Sequence, residues 1–408
     1  MNGMRFENSM NRWRCGRGRP GFLLVVGGCV RLQVVGEVDY RRHPARRDHL
    51  FYPGSNHFVR IVFLLVASTA HLRHLFELFP LLFGHLHLPK LVFLLCEIGH
   101  GEVPPQGALI GPLLNAVNLI ADAVAEEFPG RRVAIDTLAY QWTRPTPTSS
   151  LKPRPNVIVR LCSIECNFGA PLSDPSNSDF LTDITNWGKK SNRTWIWNYV
   201  TDFGAYTMPW PDYFNLAPNT RFYLNHGVSG IFQEGAYQSY GADMGTLKNY
   251  LMSKLLLDPK NANEAEIIDE FLTLYYGPSA AVYFHKYMHL WADSVYDHSF
   301  YLSESAPVSS AYLTPELLLE SARLMEKAAE TNVRNDATLA KRIRLAKLPT
   351  LYVVLLRWQE VQTYAAGKGI HWPYPGCSTV KTCFVEFSSI YKENDMTLLS
   401  EAGRRHLA

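Results

Sequence analysis

The chain has 408 residues, with 40 basic against 37 acidic side chains and a formal net charge of +3. That length allows two or three domains or one large barrel with attachments, and the near balance of charge argues against a nucleic-acid-binding protein. Seven scattered cysteines include no C-x-x-C pair, so no metal site and no cofactor is predicted.

Residues 1 to 103 differ in composition from the remainder of the chain. Arg outnumbers Lys by twelve to one there, whereas the two are nearly equal beyond it. The apolar runs keep neither a helical nor a strand period. Gly84–Pro89, GHLHLP, has two histidines but no third ligand at a defined spacing. The segment reads as disordered or non-native, with a targeting extension as the alternative. Phe22–Val30 behind its arginines imitates a signal peptide only weakly. Phe58–Phe83 is interrupted by Arg60, His71, Arg73, His74 and Glu77, so no membrane span is predicted.

Order is predicted from Pro104. Leu113, Val117, Ile120, Val124 and Phe128 recur at helical spacing over Pro112–Phe128, which Pro129-Gly130 ends. Four strands come next, at Val133–Leu138, Val157–Cys162, Thr194–Val200 and Val228–Phe232. Helices at Asp174–Lys190, Pro218–Asn225 and Met244–Leu257 alternate with them, and Arg144–Pro155 is a Pro/Thr/Ser loop. Strand, polar end, helix, repeated, is the pattern of a parallel α/β barrel. Only four units are legible, so the expected fold is an incomplete (β/α) TIM-type barrel over residues 104–260. A helical region over 261–408 succeeds it, with helices at Glu264–Tyr276, Ala280–Val295, Pro315–Thr331, Asn335–Tyr364 and Thr382–Lys392. The stripe Tyr283, Tyr287, Leu290 and Trp291 reads as core. Cys162 and Cys166 read as free buried thiols.

Barrel active sites form where strand C-terminal ends converge. The carboxylates there are Asp136, Glu165, Asp202 and Glu234. Glycoside hydrolysis needs two carboxyl groups flanking the bond, and different strand ends can supply them. Glu234 is the first candidate, because Gly235 leaves room beside it; Asp202 and Glu165 complete the catalytic set. Asp136, Tyr140, Arg160, Trp197, Tyr199, Tyr237 and Gln238 are the substrate-binding candidates, the aromatics as platforms for sugar rings. Plainer roles compete. Arg160 needs a buried partner, Asp136 or Glu165; Asp202 can cap the backbone after its strand; Trp195 and Trp197 can pack against helices.

Several long stretches carry a resemblance: TLAYQWTRP, IVRLCSIECNF, WIWNYVTDFGAYTMPWP, GVSGIFQEGAYQS with LKNYLMSKLLLDP, EFLTLYYGPSA, GIHWPYP and LLSEAGR. Together they resemble the family called domain of unknown function 4838, from about Gly107 to the C-terminus. That family is similar to glycoside hydrolases of the α-glucuronidase and β-N-acetylhexosaminidase type. The resemblance implies a barrel, a carbohydrate partner and hydrolysis of O-glycosidic bonds by a carboxylate pair. Family members carry an Asn-Asp and a Cys-x-Cys-x-x-Cys stretch before the helix at Pro112; here that region holds only Cys96. The first half of the barrel is therefore not legible. The alternative is a non-catalytic carbohydrate-binding or inactive truncated homologue.

Overall fold

The computed structural model describes residues 109–332, 336–374 and 376–401, with the backbone of four short strands nearer the N-terminus. Those strands are β1 (Val25–Gly27), β2 (Val30–Leu32), β3 (Val34–Glu37) and β4 (Phe58–Phe63). Apart from them, the expectation for residues 1–103 lies outside the described residues. Next come α1 (Ile110–Glu127), β5 (Val133–Ala139), β6 (Val157–Cys162), α2 (Ser178–Lys190), β7 (Thr194–Tyr199), α3 (Leu216–Asn225), β8 (Gly230–Glu234) and α4 (Gly245–Leu257). Strands β5 to β8 are parallel neighbours in chain order, as the sequence pattern predicts. Strand β4 pairs in parallel with β5, and β3 runs antiparallel beyond it.

The sheet is open, with β3 and β8 at its edges. The parallel α/β strands of the expected incomplete barrel are present in a mixed α/β fold, and the sheet does not close among the described residues. Successive parallel strands need crossovers, and here α2 and α3 supply two of them. Of the periodic residues, Leu113, Val117, Ile120 and Val124 of α1 are buried, whereas Phe128 follows the end of the helix and is exposed.

The remainder is helical: α5 (Glu264–Tyr276), α6 (Pro278–Asp297), α7 (Pro315–Glu330), α8 (Ala337–Ala346), α9 (Leu348–Leu356), α10 (Trp358–Lys368) and α11 (Val380–Glu393). The N-termini of α5 and α7 are satisfied by Asn263 and Thr314, whose side chains accept from backbone N–H groups of the first turn. The single helix expected over Asn335–Tyr364 is found as three. Pro349 stands in the first turn of α9, where its missing N–H is harmless, and it could not continue α8. Arg357 then leaves helical geometry, and its guanidinium donates to the Leu313 carbonyl at 2.6 Å. Tyr287 and Trp291 of α6 are core residues, as their stripe predicts. Cys162 and Cys166 are free buried thiols, while Cys377 and Cys383 form a disulfide that the sequence did not announce. No helix among the described residues is long and apolar enough to cross a membrane.

One buried polar node joins the sheet region to the helices. Asp243, in the loop between β8 and α4, is 2% exposed. Its carboxylate accepts from the Trp210 backbone N–H at 2.8 Å, from the Tyr213 hydroxyl, and from the Tyr287 hydroxyl of α6 at 2.8 Å. Beside it, Lys248 of α4 pairs with Asp212 at 2.6 Å and donates to the Trp210 carbonyl at 3.0 Å. Removing the acceptor leaves three buried donors unsatisfied, and breaking such a buried cluster is strongly destabilising. Asp243→Ala is therefore expected to lower the unfolding free energy by about 3–5 kcal/mol in urea denaturation. A loss under about 1 kcal/mol, the worth of a single ordinary hydrogen bond, would mean that the node does not tie the two regions together.

Candidate functional site

The strand register decides which side chains share a face. Leu138, Arg160, Trp195 and Gly230 lie side by side across β5 to β8. The next row is Cys162, Trp197 and Phe232, and the last is Tyr199 and Glu234. Side chains alternate along each strand, so Asp136, Arg160, Trp197 and Glu234 all belong to one face. The other face carries Leu161, Ile196 and Ile231, with Asn198 beside Gln233. Helix α3 reaches that second face, where the Tyr223 hydroxyl donates to Asn198 Oδ1 at 3.0 Å. Helix α2 lies against α3 through an edge-to-face contact of Phe180 with Tyr223.

The first face holds a chain of polar contacts. Arg160, 6% exposed, donates to Asp136 Oδ2 at 2.5 Å. Its guanidinium lies 5.4 Å from the centre of the Trp197 ring and 5.8 Å from that of Trp195. Trp195 crosses the sheet over Gly230, where a Cβ would stand 2.5 Å from the indole, so only glycine admits this packing. Trp197 packs edge to face on Phe232 at 4.6 Å. Its Nε1–H donates to Glu234 Oε2 at 2.6 Å. The two tryptophans thus pack around Arg160 on this face.

Glu165 finds a partner other than the one expected. Arg144 Nη1 meets it at 2.6 Å, and Arg144 Nε meets the buried Asp183 of α2 at 2.7 Å. Arg160 pairs through Nη2 with Asp136 instead. Asp202 has no exposed surface and accepts from the Ala205 backbone N–H at 2.8 Å. Burial pushes its carboxyl up to about 8, opposed by the N–H groups of Ala205 and Gly204. It holds the loop after β7 in the manner of a backbone cap. Gln238 and Tyr237 sit in the loop after β8, the tyrosine 61% exposed with its hydroxyl donating to Glu401 at 2.9 Å.

Two acids that the sequence pattern does not single out join this edge. Phe203, just past β7, donates its N–H to the Glu304 carbonyl at 2.6 Å, and its carbonyl accepts from the Glu401 N–H at 2.9 Å. Segments from the helical region thus bring Glu304 and Glu401 to the strand ends. Tyr140 is pushed up to about 12 by burial, then by the Cys162 sulfur and the carboxylates of Glu304, Glu165 and Glu401. Tyr199 is raised by burial, and Tyr140, Glu234 and Glu304 lie within its electrostatic reach. Burial raises Glu234, the Trp197 indole opposes this, and the charge of Glu401 adds to the rise. Tyr140, Glu165, Tyr199 and Glu234 therefore gather at one edge, while Asp136 and Asp202 lie wholly buried. Glu401 stands in the LLSEAGR stretch and Arg144 in TLAYQWTRP, so both were within reach of the sequence; Glu304 lies in a loop with no motif.

Residues 95–289 match the family described as Domain of unknown function (DUF4838). The DUF4838 match agrees with the assignment drawn from the motifs. It takes in every strand of the candidate site from β5 to β8, whereas Glu304 and Glu401 lie beyond it. No curated protein matches the chain. Among the described residues no group of three His, Cys, Asp or Glu side chains is placed to hold a metal ion.

The buried Asp202 makes stability depend on pH. Its folded carboxyl keeps a proton up to about 8, while the unfolded one releases it near 3.8. The folded state therefore binds the extra proton between these values, and stability falls as pH rises through that window. Asp202→Asn keeps the acceptor for Ala205 but cannot ionise. Thermal melting from pH 5 to 8 should fall less steeply for this variant than for the parent. Parallel profiles would show that Asp202 is not the titrating group.

Proposed function

We propose that the Glu234 edge is a carbohydrate-processing site of glycoside hydrolase type. The observation that carries this reading is the state of Glu234: half-buried, raised above the ordinary carboxyl range, and fixed through Oε2 by the Trp197 indole. A carboxyl group whose hold on its proton is strengthened by burial suits a general acid that protonates a leaving glycosidic oxygen. Oε1 of Glu234 takes no hydrogen bond from any described residue and is the oxygen assigned to the substrate. Glu401 is assigned the second carboxylate role, because it shares the Tyr237 side of the site and its charge acts on Glu234. Exposed Tyr237 is the platform for a sugar ring. The open sheet is read as one arc of a barrel, since its parallel strands follow chain order without the reversal of a doubly wound sheet. The resemblance to glucuronidase- and hexosaminidase-type barrels supports the same reading.

A second reading rests on the other acids. Glu165 is neutralised by Arg144, and Asp202 has no exposed surface. Of the three catalytic candidates named from the sequence, only Glu234 stays unpaired by a cation and partly open. A site that binds carbohydrate without cleaving it fits that loss.

Hydrolysis of aryl glycosides, including glucuronides and N-acetylglucosaminides, separates the two. Glu234→Gln should cost about 10²–10⁴-fold in rate if Glu234 is the general acid. Glu401→Gln should lower the rate as loss of the second carboxylate, and the alkaline limb of the remaining activity should move to lower pH because a charge that raises Glu234 is gone. Equal rates for parent and Glu234→Gln would reject the acid role. Oligosaccharide binding without turnover in the parent would favour the binding reading.

A further inference from the structure

A cavity of about 280 Å³ lies between the loop after β8, the end of α5 and helices α8 and α9. Ala236 and Tyr237, just past Glu234 in the chain, line it together with Arg342 and Pro349. This volume stands at the lower end of the range for small-molecule sites, near about 300 Å³. Tyr240, Thr246 and Tyr275 line it, and the Tyr240 and Thr246 hydroxyls lie 3.4 Å apart.

Its charge is uneven. Arg342 stacks on Tyr275, with the guanidinium carbon 4.1 Å from the ring centre, and Nη1 donates to the Tyr275 carbonyl at 2.8 Å. Both contacts fix the plane of the guanidinium. Among the described residues Arg342 has no carboxylate within ion-pair distance, whereas Arg144, Arg344 and Arg357 each have one. The other charged residues bordering the cavity are buried and already engaged: Asp243 accepts three hydrogen bonds and Lys248 pairs with Asp212. A planar, pre-oriented guanidinium without a protein counter-ion among the described residues matches the paired oxygens of a carboxylate. Tyrosine faces and hydroxyl groups beside it suit a hydroxylated carbon skeleton.

We propose that this cavity binds a small hydroxylated carboxylate, with Arg342 gripping the carboxylate and the Tyr240 and Thr246 hydroxyls meeting the ligand's hydroxyl groups. Two sources share that chemistry, a sugar acid and a non-sugar hydroxy acid. The proposal does not rest on hydrolysis at Glu234, because binding here is read without turnover.

The test is calorimetric titration of the full chain with galacturonate, galactose and malate. Galactose and galacturonate have the same ring and differ at the carboxylate. Galacturonate or malate should bind saturably with a Kd below about 1 mM, the weak end of specific recognition, and galactose at least 10-fold more weakly. Tighter galacturonate assigns the site to sugar acids, and tighter malate to hydroxy acids. Arg342→Gln should weaken the carboxylate at least 10-fold with no effect on galactose. Should that variant not fold, Tyr240→Phe removes only the hydroxyl of a half-exposed side chain and should weaken binding about 3–10-fold. No saturable binding of either acid, binding of galactose as tight as that of galacturonate, or unchanged affinity in the variants would overturn the proposal.

Discussion

The carboxylate of Asp243 is the point at which the two halves of the described structure become one. It is buried and collects donors from the loop after β7 and from α6, while Lys248 and Asp212 balance the charge beside it. A buried anion of this kind is tolerated only when its lone pairs are satisfied, so the loop, α4 and α6 are held in one relative arrangement. The same arrangement sets the width of the cavity at the seam and lets segments of the helical region reach the strand ends. Without that docking, Glu304 and Glu401 would not face β7, and the field acting on Glu234 and Tyr140 would be that of the sheet alone.

The sheet itself is asymmetric in chemistry. One face carries no charge: beside its apolar residues stand Thr137, Thr194, Asn198 and Gln233, the last two bonded to each other at 2.8 Å and Asn198 to Tyr223 of α3. The other carries a buried Asp–Arg pair with two tryptophans packed on the guanidinium. Such a pair is weak support for stability, since its desolvation offsets most of its attraction. Its value here lies in position. Arg160 holds Trp197, and Trp197 aims an indole N–H at Glu234, so a charge near the middle of the sheet fixes an acid at its edge.

Most of the strand and helix pattern could be read from the sequence because local signals agreed with burial. The stripe of α1, the mostly apolar β6 and the proline-rich loop before it each needed only neighbours in sequence. The exception within the helices was Asn335–Tyr364, where a continuous apolar period masked the breaks at Pro349 and Arg357. Pairings were harder. Arg160 was assigned a partner by type, but choosing Asp136 over Glu165 needs the strand register, and the claim of Arg144 on Glu165 needs the fold of a loop. Asp202 and Glu234 look alike in sequence, each an acid after an apolar run. They part only when the loop after β7 folds back and closes over Asp202. Glu304 and Glu401 come from segments too distant in sequence for any local pattern to link them to a strand end.

That distance also shapes how the edge comes together. The contact of Tyr237 with Glu401 spans 164 residues of chain, and that of Tyr301 with the Glu165 carbonyl spans 136. Loop entropy grows only slowly with length, by about 0.6 kcal/mol per doubling, so such contacts are not costly at equilibrium. In time they are, because pairings of high sequence separation wait for the rest of the chain to find its place. The register of β7 and β8 can hold Glu234 against Trp197 before the final segment arrives. The acid is then positioned early and its electrostatic surroundings late, so the edge acquires its chemical character in the last step of folding rather than with the sheet that carries it.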